Sequence, residues 1–257
     1  MTNRIDATFA GLDRPALITF ITAGDPGIKA SQTILDQLPA NGADIIELGM
    51  PFTDPMADGP TIQASALRAL DAGASMKTTL QMVRDFRKHN TATPIVLMGY
   101  ANPVFQYGYD AFIRDASAAG VDGLIIVDLP PEEDDALHAL ASAADIHLVK
   151  LVTPTTTDAR LQAILPKAGG FLYYVSITGI TGAASANVEA VKKHVESIRK
   201  QTDLPLAVGF GIKGPGDVRE FAAFADAVVV GSAIVSEANK EDGNVSAFVK
   251  SLSAALR

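Results

Sequence analysis

The sequence predicts a single (β/α)8 barrel, and three observations carry that expectation. Eight short, near-continuous apolar runs recur along the 257 residues, as parallel strands covered on both faces require. Longer amphipathic stretches alternate with these runs from end to end. No Pro-, Gly- or Ser-rich linker separates one part of the chain from another, so residues 1–257 read as one domain. A doubly wound open sheet is the alternative. It usually needs fewer strands and a Gly-rich turn after the first, whereas Thr22-Ala23-Gly24-Asp25-Pro26 is no dinucleotide fingerprint.

Taken in order, the first strand is expected at 16–21 and its helix at 28–39. The second strand, 44–48, is followed by an extra helix-like piece at 61–71 and then by helix 76–89. Strand 95–98 leads to helix 109–119, strand 123–127 to helix 132–143, and strand 147–151 to helix 157–165. Strand 171–175 precedes helix 188–200, and strand 205–209 precedes helix 216–224. After strand 227–230 the tail 245–256 reads as a last helix with Asn244 as its cap. An additional N-terminal helix, 2–12, is placed to plug the bottom of the barrel. The expectation is an α/β TIM barrel with an extra N-terminal helix and extra helices in its βα loops.

Composition narrows the function. At 48% hydrophobic the chain can bury one large core, and its net charge of −8 comes from scattered acids without a basic run, which argues against nucleic acid as a partner. No segment reads as a signal peptide and no apolar run is long enough to span a bilayer, so a cytoplasmic protein is expected. The absence of Cys excludes disulfides, thiolate metal sites and a Cys nucleophile. The four His (His89, His138, His147 and His194) are dispersed and offer no metal-ligand spacing, so no metal is expected.

The most informative segment runs from Ile45 to Pro60. An apolar strand carries one carboxylate, Glu47, near its tip; a Pro- and Asp-rich loop then ends in a second, Asp58. Burying a lone Glu disfavours its charged form and raises its pKa, which suits proton transfer near neutral pH. The segment alone leaves two plainer readings open: a Glu satisfied by backbone donors, or a strand end that reaches water. Strand parity sets Ile45 and Glu47 on one face and Ile46 and Leu48 on the other, which points Glu47 into the barrel mouth. Active sites of such barrels lie at the C-terminal strand ends, with phosphate often held after strands seven and eight. Here those loops are Gly209-Phe210-Gly211-Ile212 and Gly231-Ser232-Ala233-Ile234, and a third Gly-rich loop, 178–182, follows strand six. Each alone is a weak signal; together they suggest a clamp in which backbone amides, without need of Lys or Arg, hold a phosphate. Strand-end Phe20, Met98, Tyr100, Ile125, Val127, Leu151, Tyr173 and Phe210 fit a slot for a flat aromatic ring, or ordinary core. A Schiff-base aldolase would need a strand-end Lys; the best placed, Lys150, lacks an obvious activating set and reads as structural or solvated.

The blocks 20–26, 47–60, 98–104, 128–130, 176–182 and 208–212 resemble the tryptophan synthase alpha subunit family, in order and over essentially the whole chain. The resemblance implies retro-aldol cleavage of indole-3-glycerol phosphate to indole and glyceraldehyde 3-phosphate, the last stage of L-tryptophan biosynthesis before indole is passed on. On that analogy Glu47 is the general acid/base, Asp58 accepts the indole N–H, and Tyr173 packs near the reacting carbon. Gly182, Gly211, Gly231 and Ser232 would hold the phosphate, and Thr181 would close the site through Asp58. The family works as an α2β2 complex with a pyridoxal-phosphate (PLP) beta subunit, the alpha chain itself needing no cofactor. Contacts with that partner are expected from Asp54, Pro55, Asn102, Pro103 and the region near Pro130. One departure is Ile177, where many members carry an Arg. Two rival readings remain: another phosphosugar barrel enzyme, and a non-catalytic scaffold that only activates a partner.

Overall fold

The computed structural model describes residues 2–175, 188–209 and 211–257. Its strands are β1 (Ala16–Thr22), β2 (Ile45–Gly49), β3 (Ile95–Gly99), β4 (Gly123–Ile126), β5 (His147–Leu148), β6 (Lys150–Val152), β7 (Leu172–Val175), β8 (Leu206–Gly209) and β9 (Ala227–Val230). All pair in parallel, in the order β5-β4-β3-β2-β1-β9-β8-β7-β6. Because β5 and β6 are halves of one strand interrupted at Val149, that order begins and ends on the same strand. The sheet is an eight-stranded parallel barrel, as the sequence predicts.

Period-2 alternation sorts each strand into two cores. Ile18, Ile45, Val96, Ile125, Val149, Tyr173, Ala207 and Val229 fill the barrel interior. Leu17, Ile46, Leu48, Leu97, Leu124, Leu172, Val208 and Val228 face the helices. Fully burying one such aliphatic contributes about 1.5–3 kcal/mol, which is why register is strongly specified on both faces. The lower end is closed by α1 (Arg4–Gly11), whose Ile5 is fully buried; its Cδ1 lies 2.9 Å from where a Cβ on Gly123 would stand. Asn3 caps this helix by accepting from the Ile5 N–H at 2.9 Å.

The strand starts share a device. Asp44, Asp122 and Asp226 each accept a backbone N–H from the preceding strand, of Leu17 (2.7 Å), Ile95 (2.7 Å) and Leu206 (2.8 Å) respectively. Each also pairs with arginine: Arg14 with Asp44, Arg4 and Arg87 with Asp122, and Arg199 with Asp226. These carboxylates tie neighbouring strands at the bottom and leave the top for function.

The outer helices include α2 (Ile28–Gln37), α3 (Pro60–Asp71), α4 (Met76–Arg87), α5 (Ala101–Tyr107), α6 (Tyr109–Ala119), α7 (Asp135–Ala143) and α8 (Asp158–Ile164). They continue with α9 (Val188–Arg199), α10 (Pro215–Ala222), α11 (Ser232–Ala238) and α12 (Val245–Ala254). Most lie within a few residues of the sequence expectation, and the departures have physical causes. The helix expected from 132 begins only at Asp135, after Pro130 and Pro131, and buried Asp134 pairs with Lys150 and Lys167 instead of capping it. The unexpected α5 carries Pro103 in its first turn, where no N–H is missed, and its Ala101 N–H donates to Asp128 Oδ1 at 2.7 Å. That cap arrives from the loop after β4, so no local pattern announces it.

Candidate active site

Glu47 is the third residue of β2, paired with Phe20 of β1 and Val96 of β3. It points into the barrel, is only 1% exposed, and its Oε1 has no hydrogen-bond partner among the described residues. Neither plainer reading of the sequence survives, since the carboxyl is neither fully satisfied by donors nor open to bulk water. Burial raises its pKa from 4.5 to about 8, so the protonated form prevails at neutral pH.

Above Glu47 opens a cavity of about 370 Å³, within the range of small-molecule sites. Phe20, Met98, Tyr173 and Val229 form its apolar floor, Asp58, Thr61 and Ile62 one wall, and Gly211, Gly231, Ser232 and Ala233 the other. Asp58 ends the loop between β2 and α3. Its N–H donates to the Pro55 carbonyl at 3.0 Å, and its own carbonyl accepts from Gln63 Nε2 at 2.7 Å. Burial raises the Asp58 pKa, and a hydrogen bond from the Tyr100 hydroxyl opposes that rise. The same Tyr100 oxygen accepts the Ala57 N–H at 3.1 Å, so one side chain orients both loop and carboxylate. Thr22 and Ser65 hydroxyls, 2.7 Å apart, hold α3 against β1. The two carboxyl groups thus face one cavity in different surroundings, one almost fully dry and one hydrogen-bonded, a common basis for separate acid and acceptor roles.

Tyr173 of β7 is buried, and both burial and the nearby Glu47 push its phenol pKa well upward, so it stays a neutral O–H. Room for that hydroxyl comes from Gly209 on β8: a Cβ there would stand 2.4 Å from Tyr173 Oη. Gly209→Ala is therefore expected to displace the ring, destabilise the fold by about 1–3 kcal/mol and lower turnover. A variant with unchanged melting temperature and kcat would show that the two groups do not constrain each other.

The glycine wall sits where strands seven and eight of the barrel end. Gly211 has φ +78°, a left-handed conformation that favours glycine, and Gly231 precedes α11; the Ile234 and Val235 N–H groups turn back to the Gly231 carbonyl, which leaves the first two amides of the helix, Ser232 and Ala233, without a helical acceptor. Ser236, one helical turn beyond Ser232, and Lys213, two residues after Gly211, also line the cavity. Sequence reading named neither. The i, i+4 spacing of the serines carried the first signal; only the loop path reveals the second.

The residues of the predicted aromatic slot lie at different depths in the barrel. Phe20 and Met98 line the cavity, while Tyr100 and Val127 line a narrower apolar cleft that shares Phe20, Met98 and Asp58 with it. Ile125 is fully buried in the barrel interior, and Leu151 borders a separate cleft with Val127 and Lys150. Barrel stagger is the reason, because strand tilt places equally deep positions at different heights. Phe210, Ile177, Thr181 and Gly182 lie outside the described residues. Lys150 is structural, buried in an ion pair with Asp134; although burial pushes the other way, Lys150 and Lys167 hold Asp134 below the usual carboxylate range. Among the described residues, no group of three or more His, Cys, Asp or Glu side chains is arranged to hold a metal ion.

At the rim, Asp54 and Asn102 are exposed and Pro55 and Pro103 half-buried. Next to these positions in the chain, Met56 and Phe105 are 82% and 64% exposed.

Comparison with known proteins agrees with this geometry. The family model described as tryptophan synthase alpha chain matches residues 7–256. The crystal structure of tryptophan synthase subunit alpha from Legionella pneumophila is 41% identical, with a TM-score of 0.93 over 100% of this chain and 99% of that one. A structure from Aquifex aeolicus is 37% identical at TM-score 0.93, with both chains covered completely. Tryptophan synthase from Mycobacterium tuberculosis is 35% identical at TM-score 0.92, over 100% of this chain and 99% of that one.

Proposed function

The chain belongs to the tryptophan synthase alpha chain family, and from that premise we propose how its own residues carry the reaction. The activity is that of a carbon–carbon lyase, cleaving indole-3-glycerol phosphate to indole and glyceraldehyde 3-phosphate in tryptophan biosynthesis. It works with a beta subunit, to which the PLP cofactor belongs.

Protonated Glu47 donates its proton to C3 of the indole ring. The resulting cation is delocalised onto the ring nitrogen, whose N–H is held by the Asp58 carboxylate. The bond between C3 and the side-chain carbinol carbon then breaks, and its electron pair restores the indole ring. The carbinol hydroxyl becomes the aldehyde carbonyl and surrenders its proton to the Glu47 carboxylate. Glu47 ends protonated again, so one carboxyl serves as acid and base and the atoms balance. A preorganised carboxylate in a site shielded from water stabilises the developing cation at little reorganisation cost. Tyr173 walls the reacting carbon, and Gly211, Gly231 and Ser232 receive the phosphate. We assign Gly182 to the same clamp and Thr181 to closure over Asp58, on the family resemblance alone.

The observation that carries the assignment is Glu47: a buried carboxyl of raised pKa, one oxygen without a partner, at the floor of a cavity shared with Asp58. The exposed Met56 and Phe105, close in the chain to Asp54, Pro55, Asn102 and Pro103, support docking of the beta subunit through the loops that carry them. A cytoplasmic site of action follows from the substrate, because a phosphate dianion does not cross bilayers unaided. The test is indole release from indole-3-glycerol phosphate, with and without a beta subunit. Cleavage that rises sharply with the partner is expected; absence of cleavage in both cases would refute the proposal.

A further inference from the structure

Among the described residues that line the catalytic cavity, Lys213 is the one side-chain cation. It follows Gly211 and Ile212 out of β8 and shares a wall with Gly231, Ser232, Ala233 and Ser236. Its backbone N–H donates to Asp217 Oδ2, four residues on, at 2.7 Å, which fixes the base of the loop. The side chain is exposed, and its ammonium has no hydrogen bond or ion pair among the described residues.

Charge explains why that position matters. The cavity holds the Asp58 carboxylate beside a neutral, protonated Glu47, in a chain of net charge −8. A doubly charged phosphate entering it meets an unfavourable field, and backbone amides offer only partial charges in return. An ammonium on the glycine wall reverses the field at the end where the phosphate must go. It also sets polarity along the cavity, drawing the anionic end to Gly211 and Ser232 and leaving the ring to Phe20 and Asp58.

We propose that Lys213 is a phosphate-recognition residue, its ammonium donating to the non-bridging oxygens of the substrate phosphate. The proposal rests on reading the cavity as the indole-3-glycerol phosphate site. It adds a side-chain charge to a clamp that sequence reading left to amides. A hydrogen bond between charged groups contributes more than a neutral one, but an exposed lysine is screened and loses rotamer freedom when it binds. The net effect is therefore about 3- to 10-fold in affinity. The phosphate does not change charge during carbon–carbon cleavage, so the contact acts equally on ground and transition states and leaves kcat alone.

Lys213→Met keeps the aliphatic stem and removes the charge; Lys213→Arg restores a cation. With the beta subunit present, Lys213→Met should raise KM about 3- to 10-fold with kcat within about twofold, and its KM should depend less on salt than the wild type's. Inorganic phosphate should bind the Met variant correspondingly more weakly in calorimetric titration, indole should bind both proteins alike, and Lys213→Arg should recover most of the loss. Unchanged KM and unchanged phosphate binding in Lys213→Met would overturn the proposal, as would an equal loss of indole binding. If the wild type released no indole, the reading of the cavity would fall, and the phosphate titration would still decide the role of Lys213.

Discussion

Glu47→Gln is expected to bind indole-3-glycerol phosphate nearly as well as the wild type while kcat falls by about 10²- to 10⁴-fold. The amide matches the carboxyl in shape, so substrate contacts persist, but it can neither deliver a proton to C3 nor take one from the carbinol. Single-turnover and steady-state rates measured together separate this outcome from a binding defect. Near-wild-type turnover would remove Glu47 from the mechanism. The acid form should be lost as pH rises through about 8, so wild-type kcat should decline on the alkaline side. Stability follows the same group. Its folded pKa lies above the unfolded value of 4.5, so the stability it contributes is complete below 4.5 and lost as pH rises to about 8. Glu47→Gln should therefore gain in melting temperature over the wild type above pH 8, and the gap should close towards pH 4.5.

Asp58→Asn is expected to lower kcat by about 10²- to 10³-fold, the usual cost of removing one preorganised electrostatic partner of a transition state. The asparagine oxygen can still accept the indole N–H, so KM should move little; what disappears is the negative charge opposite the cationic ring. A variant with raised KM and normal kcat would make Asp58 a binding residue only. Tyr100→Phe supplies the control. It removes the hydroxyl that bonds both Asp58 and the Ala57 N–H, and should cost less than the loss of the carboxylate charge.

The positions that line this cavity are largely legible in the sequence. The alternation Ile45-Ile46-Glu47-Leu48 was enough to place Glu47 inside the barrel, because period 2 leaves only two faces and three of the four residues are apolar. Asp58 and the Gly211 and Gly231 loops followed from barrel topology, which gathers strand ends at one rim. What the sequence hid were distances across the barrel. Depth along the barrel sets Ile125 fully inside the core with Leu151 packed against it, and the far-reaching Asp128 cap begins α5. Lys150, which reads as structural or solvated, is set by the fold against Asp134, and Lys213, which no local pattern marks, is carried to the cavity wall by the loop after β8. Local pattern fixes faces and turns, whereas stagger and long-range ion pairs are properties of the closed barrel.

The central claim is that Glu47 is held protonated at neutral pH by burial. A carbon-13 NMR titration of labelled glutamate carboxyls, with Glu47→Gln used to assign the resonance, measures this directly. The account predicts a Glu47 midpoint near 8 in the ligand-free protein. A midpoint near the ordinary glutamate value of 4.5 would contradict it, because the carboxyl would then enter the reaction without the proton that C3 must receive.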